Sequence, residues 1–170
     1  MTSIAESLPT TGNDTVKILK NDHTLIKGML NDLAAATDNA SRKQILEKAK
    51  PVLTVHNATE ENLVYPALQK IAGQKRESEH LYEETAQADV LVYELDAMLK
   101  SGDDGSFVET AQKLRDAVFE HIEDEETTAF PELQEKASPS QFESLTDAVR
   151  EFRATLGSQP AARQGQTDPG

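Results

Sequence analysis

Two stretches of this chain are near-copies of one phrase: His56-Asn-Ala-Thr-Glu60-Glu61-Asn-Leu-Val-Tyr65-Pro66 and His121-Ile-Glu-Asp-Glu125-Glu126-Thr-Thr-Ala-Phe130-Pro131. Their shared skeleton is H-x3-E-E-x3-[YF]-P. A His and a Glu four positions apart lie on one face of a helix, one turn from each other. Together they present a neutral nitrogen and an anionic oxygen to the same point. The chain has four histidines, and the other two end short acidic doublets, Asp22-His23 and Glu79-His80. Three of the four carry a Glu four residues on, at positions 60, 84 and 125.

Outward from these phrases, apolar residues recur at helical spacing and no alternating strand pattern stands out. A first helix is expected over about 14–36, capped by Asn13 or Asp14, with the stripe Val16, Leu19, His23, Ile26, Leu30 and Leu33. A second covers about 41–69, with Ile45, Ala49, Val52, His56, Glu60 or Thr59, and Leu63 in line. Pro51 lies inside it and predicts a kink or two pieces in series, because a helix-interior proline costs about 3 kcal/mol. The third runs over about 77–100, its inward face reading His80, Glu84, Gln87, Leu91, Leu95 and Met98. A Ser-Gly-Asp-Asp-Gly loop at 101–105 precedes a fourth, about 106–130, bearing Phe107, Leu114, Val118, His121 and Glu125. Pro66 and Pro131 are expected to end or kink their helices at the preceding residue.

A fifth helix, over 139–156, shows Phe142, Leu145, Val149, Phe152 and Leu156 on one side. It offers no metal-type residue on that side and reads as a packing helix or an oligomer contact. Residues 1–13 read as a flexible segment and 157–170 as a disordered Gly, Pro, Gln and Ala tail. The order single His, then His-x3-Glu, occurs twice, so the chain repeats a helix pair. Short connections between four such helices predict an all-α fold, an up-down antiparallel four-helix bundle over 14–135 with an additional C-terminal helix.

Bulk composition narrows the functional classes. At 170 residues one domain is the natural expectation. The net charge of −13 argues against a nucleic-acid backbone as partner. Without cysteine there is no disulfide, zinc-thiolate or iron–sulfur chemistry. Neither a secretion signal nor a membrane span is visible, so the expected location is cytoplasmic, with no membrane partner.

The bland reading of any one of these histidines is a hydrogen-bonded core residue. What favours metal is their placement: all four fall on the apolar stripes of four separate helices, and Glu60 and Glu125 fall one turn from theirs. A lone buried carboxylate is costly unless paired or on a metal. No stripe offers a Lys or Arg as its evident partner. The zinc-protease pattern His-Glu-x2-His is absent, and Glu-x2-His occurs once, as Glu77–His80, and is not repeated. A Ser-His-Asp triad would leave three histidines unexplained.

The order Asp-His, His-x3-Glu-Glu, Glu-His, His-x3-Glu-Glu resembles the hemerythrin-like, or HHE cation-binding, family over about residues 14–135. The resemblance implies a bundle holding a non-heme pair of iron ions with an oxo or hydroxo bridge. Manganese or zinc also suit imidazole and carboxylate donors. It implies His23, His56, His80 and His121 as terminal ligands, with Glu60 and Glu125 as bridges. The family's oxygen carriers have a fifth His, which this chain lacks, and this argues against simple oxygen transport. Two ions want about twelve coordination positions, of which these side chains and one bridge fill about ten. Glu84, then Glu77, then Tyr65 are the candidates for a further ligand. The implied partners are O2, nitric oxide or peroxide, in protection against oxidative or nitrosative stress, with catalase-like peroxide disproportionation as one possible activity. Alternatives are an iron- or oxygen-responsive sensor and a structural metal bundle without catalysis.

Overall fold

The computed structural model describes residues 10–102 and 105–158. The expected flexible start and disordered end fall largely on residues 1–9 and 159–170, outside the described part. Five helices and no strand form among the described residues. Helix α1 is Thr15–Ala35, and Asp14 caps it by accepting from Lys17 N at 2.9 Å. Helix α2 (39–72) starts as Asn39–Thr59 behind an Asp38 cap. It continues through a π-helical turn, Glu60–Val64, a short α stretch, Tyr65–Ala67, and a second π turn, Leu68–Ala72. Helix α3 is Lys75–Ser101, stopped by Gly102 at φ 74°, a left-handed geometry that glycine adopts without a Cβ clash. Helix α4 (107–136) combines Phe107–Asp124, a π turn at Glu125–Ala129, and Phe130–Lys136. Helix α5 is Pro139–Ser158.

Helices α1 to α4 pack in a ring, each against its chain neighbours, and α4 closes onto α1. Helix α5 lies across α1 and α2. This is the up-down bundle with an added helix.

None of Pro51, Pro66 and Pro131 ends or divides its helix. Pro51 sits within Asn39–Thr59 without dividing it. Burial of Val52, Leu53 and Val55 beside it offsets the missing backbone bond. Pro66 and Pro131 do not end their helices. Each follows a π turn by one residue, at the first turn of the next α stretch, where a missing N–H is tolerated. The widened turn moves aside the preceding carbonyl that a proline ring would strike in a regular helix.

The core is split into two apolar parts with a polar layer between them. One part gathers Ile26, Leu30, Leu46, Val52, Leu95, Phe107 and Leu114. The other gathers Ile18, Leu19, Val64, Leu68, Leu81, Phe130, Leu133, Leu145 and Val149. Along every helix the chain passes from one part, through the layer, to the other. In α1 the layer is Asp22 and His23; in α2, His56, Thr59 and Glu60; in α4, His121 and Glu125. All seven are buried. Apolar packing on both sides thus fixes the level at which the polar groups meet.

Candidate metal centre

Four donor side chains converge in this layer. His23, His56, Glu60 and Glu125 each place a ligand-type atom within 4.8 Å of all the others. His23 Nε2 lies 3.2 Å from Glu125 Oε2 and 3.7 Å from Glu60 Oε1. His56 Nε2 is 3.2 Å from Glu60 Oε2. His121 joins from the far side, with Nε2 3.4 Å from Glu125 Oε1.

The three imidazoles share one arrangement. Each Nδ1 faces a carboxylate and each Nε2 faces the centre. His23 Nδ1 is 2.8 Å from Glu126 Oε1, His121 Nδ1 is 2.9 Å from Glu84 Oε2, and His56 Nδ1 is 3.2 Å from Asp22 Oδ2. A carboxylate behind Nδ1 fixes the ring and its tautomer and raises the donor strength of Nε2, as is usual at metal-bound histidines. Phe130 stacks on the His23 ring at 5.8 Å between centroids and holds it flat.

The donor set passes a physical test for a metal. His23 Nε2, His56 Nε2, Glu60 Oε1 and Glu125 Oε2 are buried and make no hydrogen bond. Buried polar atoms are rarely left unpartnered, and each one costs about 1–3 kcal/mol. Four such atoms aimed at one point, nitrogen and oxygen mixed, are the donor chemistry of iron, manganese or zinc. Without a cation, protons hold the cluster together. Burial opposes a charge on His23, yet Glu125 and Glu60 outweigh it and push its imidazole up to about 10. His121 is opposed by burial in the same way and is pushed up to about 11 by Glu125 and Glu84. Burial disfavours the Glu125 carboxylate, but His121 and His23 hold its acid well below the usual range.

Tyr65 belongs to the centre. It is fully buried, with Oη 2.9 Å from Glu125 Oε1, 3.2 Å from His121 Nε2 and 3.3 Å from Glu60 Oε2. In a regular α-helix, residues five apart diverge by about 140° around the axis. The π turn, closed by Tyr65 N–H on Glu60 O, brings both onto one face. Burial and the two carboxylates hold the phenol protonated, far above its ordinary value. Of the three extra-ligand candidates, the sequence ranked Tyr65 last, yet it reaches the centre. Glu84 stands behind His121, and Glu77 lines a surface groove with His80.

His80 is not brought into this group. Its ring is 52% exposed, with Nε2 3.2 Å from Glu84 and 3.8 Å from Asp124. Helix α3 buries Ser78, Leu81, Thr85, Ala88 and Leu95. The inward face is therefore turned by one residue from the expected His80, Glu84, Gln87 line. Leu81, absent from that line, takes the buried place and leaves His80 on the flank.

Three residues were missed from the sequence. Asp22 and Glu126 orient histidines on other helices. Arg153, from α5, ion-pairs with Asp22. Helix α5, expected as a packing helix or an oligomer contact, thereby also reaches the site. Arg153 lies one turn beyond Val149 on the buried side, so its position on the apolar stripe was the available signal.

Beside His56 and His121 lies a cavity of about 20 Å³, lined also by Leu53, Val92, Val118 and Ile122. That volume suits one water-sized molecule. Asn57 and Asp89, hydrogen-bonded at 3.2 Å, line its outer side.

An antiparallel bundle with imidazoles and carboxylates facing one buried point defines a metal-binding helical protein. Residues 14–133 match the family model of the hemerythrin HHE cation-binding domain, and the chain belongs to that family. It is also 24% identical over 137 residues to a protein of Nostoc sp. strain PCC 7120 described as a DNA nickase. That match covers 81% of this chain and 37% of the relative, so the chain spans little more than a third of that protein. No helix among the described residues is long and apolar enough to cross a membrane.

Proposed function

We propose that the buried layer holds two iron ions and that the protein binds O2, nitric oxide or peroxide there, in defence against oxidative or nitrosative stress. The observation that carries this reading is the set of four buried donor atoms that converge in one layer and make no hydrogen bond. His23, His56, Glu60, Glu125 and His121 would hold the metal, with Tyr65 beside them. His80, the sixth ligand implied by the sequence, stands one carboxylate away, through Glu84. Bound there, iron would supply electrons and open positions for a small oxidant.

The chain's own groups set the conditions. The carboxylates behind each Nδ1 keep the Nε2 lone pairs aimed inward. The two apolar cores keep bulk water out. Tyr65 Oη holds a proton between Glu60, Glu125 and His121, within reach of whatever occupies the layer. The adjoining cavity of about 20 Å³ suits one water-sized molecule, and this favours small oxidants over organic substrates.

A net charge of −13 opposes contact between this chain and a phosphate backbone, which disfavours the activity named for the nickase relative. The test is to add nitric oxide, O2 or hydrogen peroxide to iron-loaded protein and follow absorbance and oxygen release. Wild type should respond and Glu125→Ala should not. An iron-loaded wild type inert to all three would overturn the reading.

A further inference from the structure

We infer that α5 completes the metal centre, with Arg153 as a positioning residue that fixes His56 through Asp22 and the Glu60 turn through Thr59. This rests on the metal reading above. Arg153 is buried, and each guanidinium nitrogen has a partner. Nη1 donates to Asp22 Oδ1 at 3.2 Å, Nη2 to Asp22 Oδ2, and Nε to Thr59 Oγ1 at 3.1 Å. Asp22 Oδ2 also accepts from His56 Nδ1. Thr59 directly precedes Glu60, and Asp22 directly precedes His23. One side chain on the fifth helix therefore touches the neighbours of three donors.

Comparison among the three imidazoles shows why this one needs a buried cation. Glu126 behind His23 and Glu84 behind His121 lie partly open to solvent, 30% and 16% exposed. Water can solvate those carboxylates, and the half-exposed Lys20 stands 3.7 Å from Glu126. Asp22, at 1%, has no such access. A carboxylate that deep is costly to keep ionised without a partner. The planar fork matters, because Lys offers a single point charge and cannot span both Asp22 oxygens and Thr59 together.

The level of Arg153 in the fold agrees. On α5, Leu145 and Val149 pack in one apolar core and Leu156 against the other. Arg153 falls between them, at the height of the histidine and glutamate layer. The helix is held to α1 by a second polar link as well, Thr15 N to Thr146 Oγ1 at 3.1 Å, which does not involve Asp22. That link supplies the control.

The experiment titrates cobalt(II) into the full metal-free chain, follows the ligand-field absorption, and competes it with a chelator. Arg153→Met should weaken cobalt binding by about 10–100-fold, the usual cost of losing a group that orients a metal ligand. Arg153→Lys should recover part of the loss. Thr146→Ala should lower the thermal midpoint but leave affinity within about twofold. Arg153→Met binding as wild type would overturn the proposal, as would Thr146→Ala weakening cobalt equally. Should Arg153→Met not fold, Arg153→Lys decides: folded and binding as tightly as wild type, it refutes the role. A folded wild type that binds no cobalt would instead sink the metal reading on which this rests, and the two failures are distinguishable.

Discussion

Helices α1 and α2 send both of their histidines into the buried layer; α3 and α4 send one. The backbone repeat is closely kept. A π turn begins at Glu60 and again at Glu125, and a proline follows each turn by one residue. Yet His23 is buried against Glu125 and Glu126, whereas His80 lies on the flank with Glu84 and Asp124. The aromatics diverge as well. Tyr65 turns a hydroxyl toward the donors, and Phe130 stacks on His23. A repeated helix pair thus copies the geometry of the backbone but leaves each side chain's use to local packing. Leu81 in α3 and Arg153 in α5 decide how the copies differ.

The largest effect should come from what the halves share. Glu60→Ala and Glu125→Ala should each abolish metal binding, measured by elemental analysis after dialysis against a chelator. Retention by either would show that the halves contribute unequally. Next comes what they do not share. His23→Ala should lower metal affinity by orders of magnitude, whereas His80→Ala, acting only through Glu84 and His121, should cost less than about tenfold. Equal losses would mean that His80 swings inward on loading and that the asymmetry is confined to the metal-free protein.

Protons span both halves, since His23 and His121 come from different pairs. Their raised values stabilise the metal-free fold fully below the ordinary imidazole value of about 6.5. That contribution is lost as pH rises through about 10 to 11. Glu125, held below its usual range, contributes above about 4.5 and loses that contribution as pH falls further. Urea midpoints of metal-free protein should therefore fall from pH 7 to pH 11. A flat profile would show that the imidazole–carboxylate cluster does not form without metal. The smallest effect is Tyr65→Phe, which makes the aromatics of the two halves alike. Losing its bond to the carboxylates should cost metal-free protein about 1.5–3 kcal/mol in urea denaturation. No change would place the hydroxyl outside the cluster.

Much of this was legible in the sequence because helical spacing carries it. The stripes through His23, His56 and His121 located three of the four bundle helices, the level of the site and most of the donors. Apolar periodicity reports burial well when the polar member is flanked by Leu, Ile and Val on both sides, as in α1. It misplaced His80, because α3 has two overlapping faces and the one through Leu81 packs better. It ranked Tyr65 last among the candidate ligands because a π turn changes the angular count, and only the proline that follows each copy hinted at one. Arg153 was hidden because an arginine on an apolar stripe of a remote helix has no visible partner until the chain folds.

The most direct test is the iron content of protein purified without added metal, together with its uptake of iron(II) under anaerobic conditions. A buried layer of five or six nitrogen and oxygen ligands should yield about two iron ions per chain. A chain that is helical by circular dichroism yet remains metal-free with excess iron(II) would contradict the account.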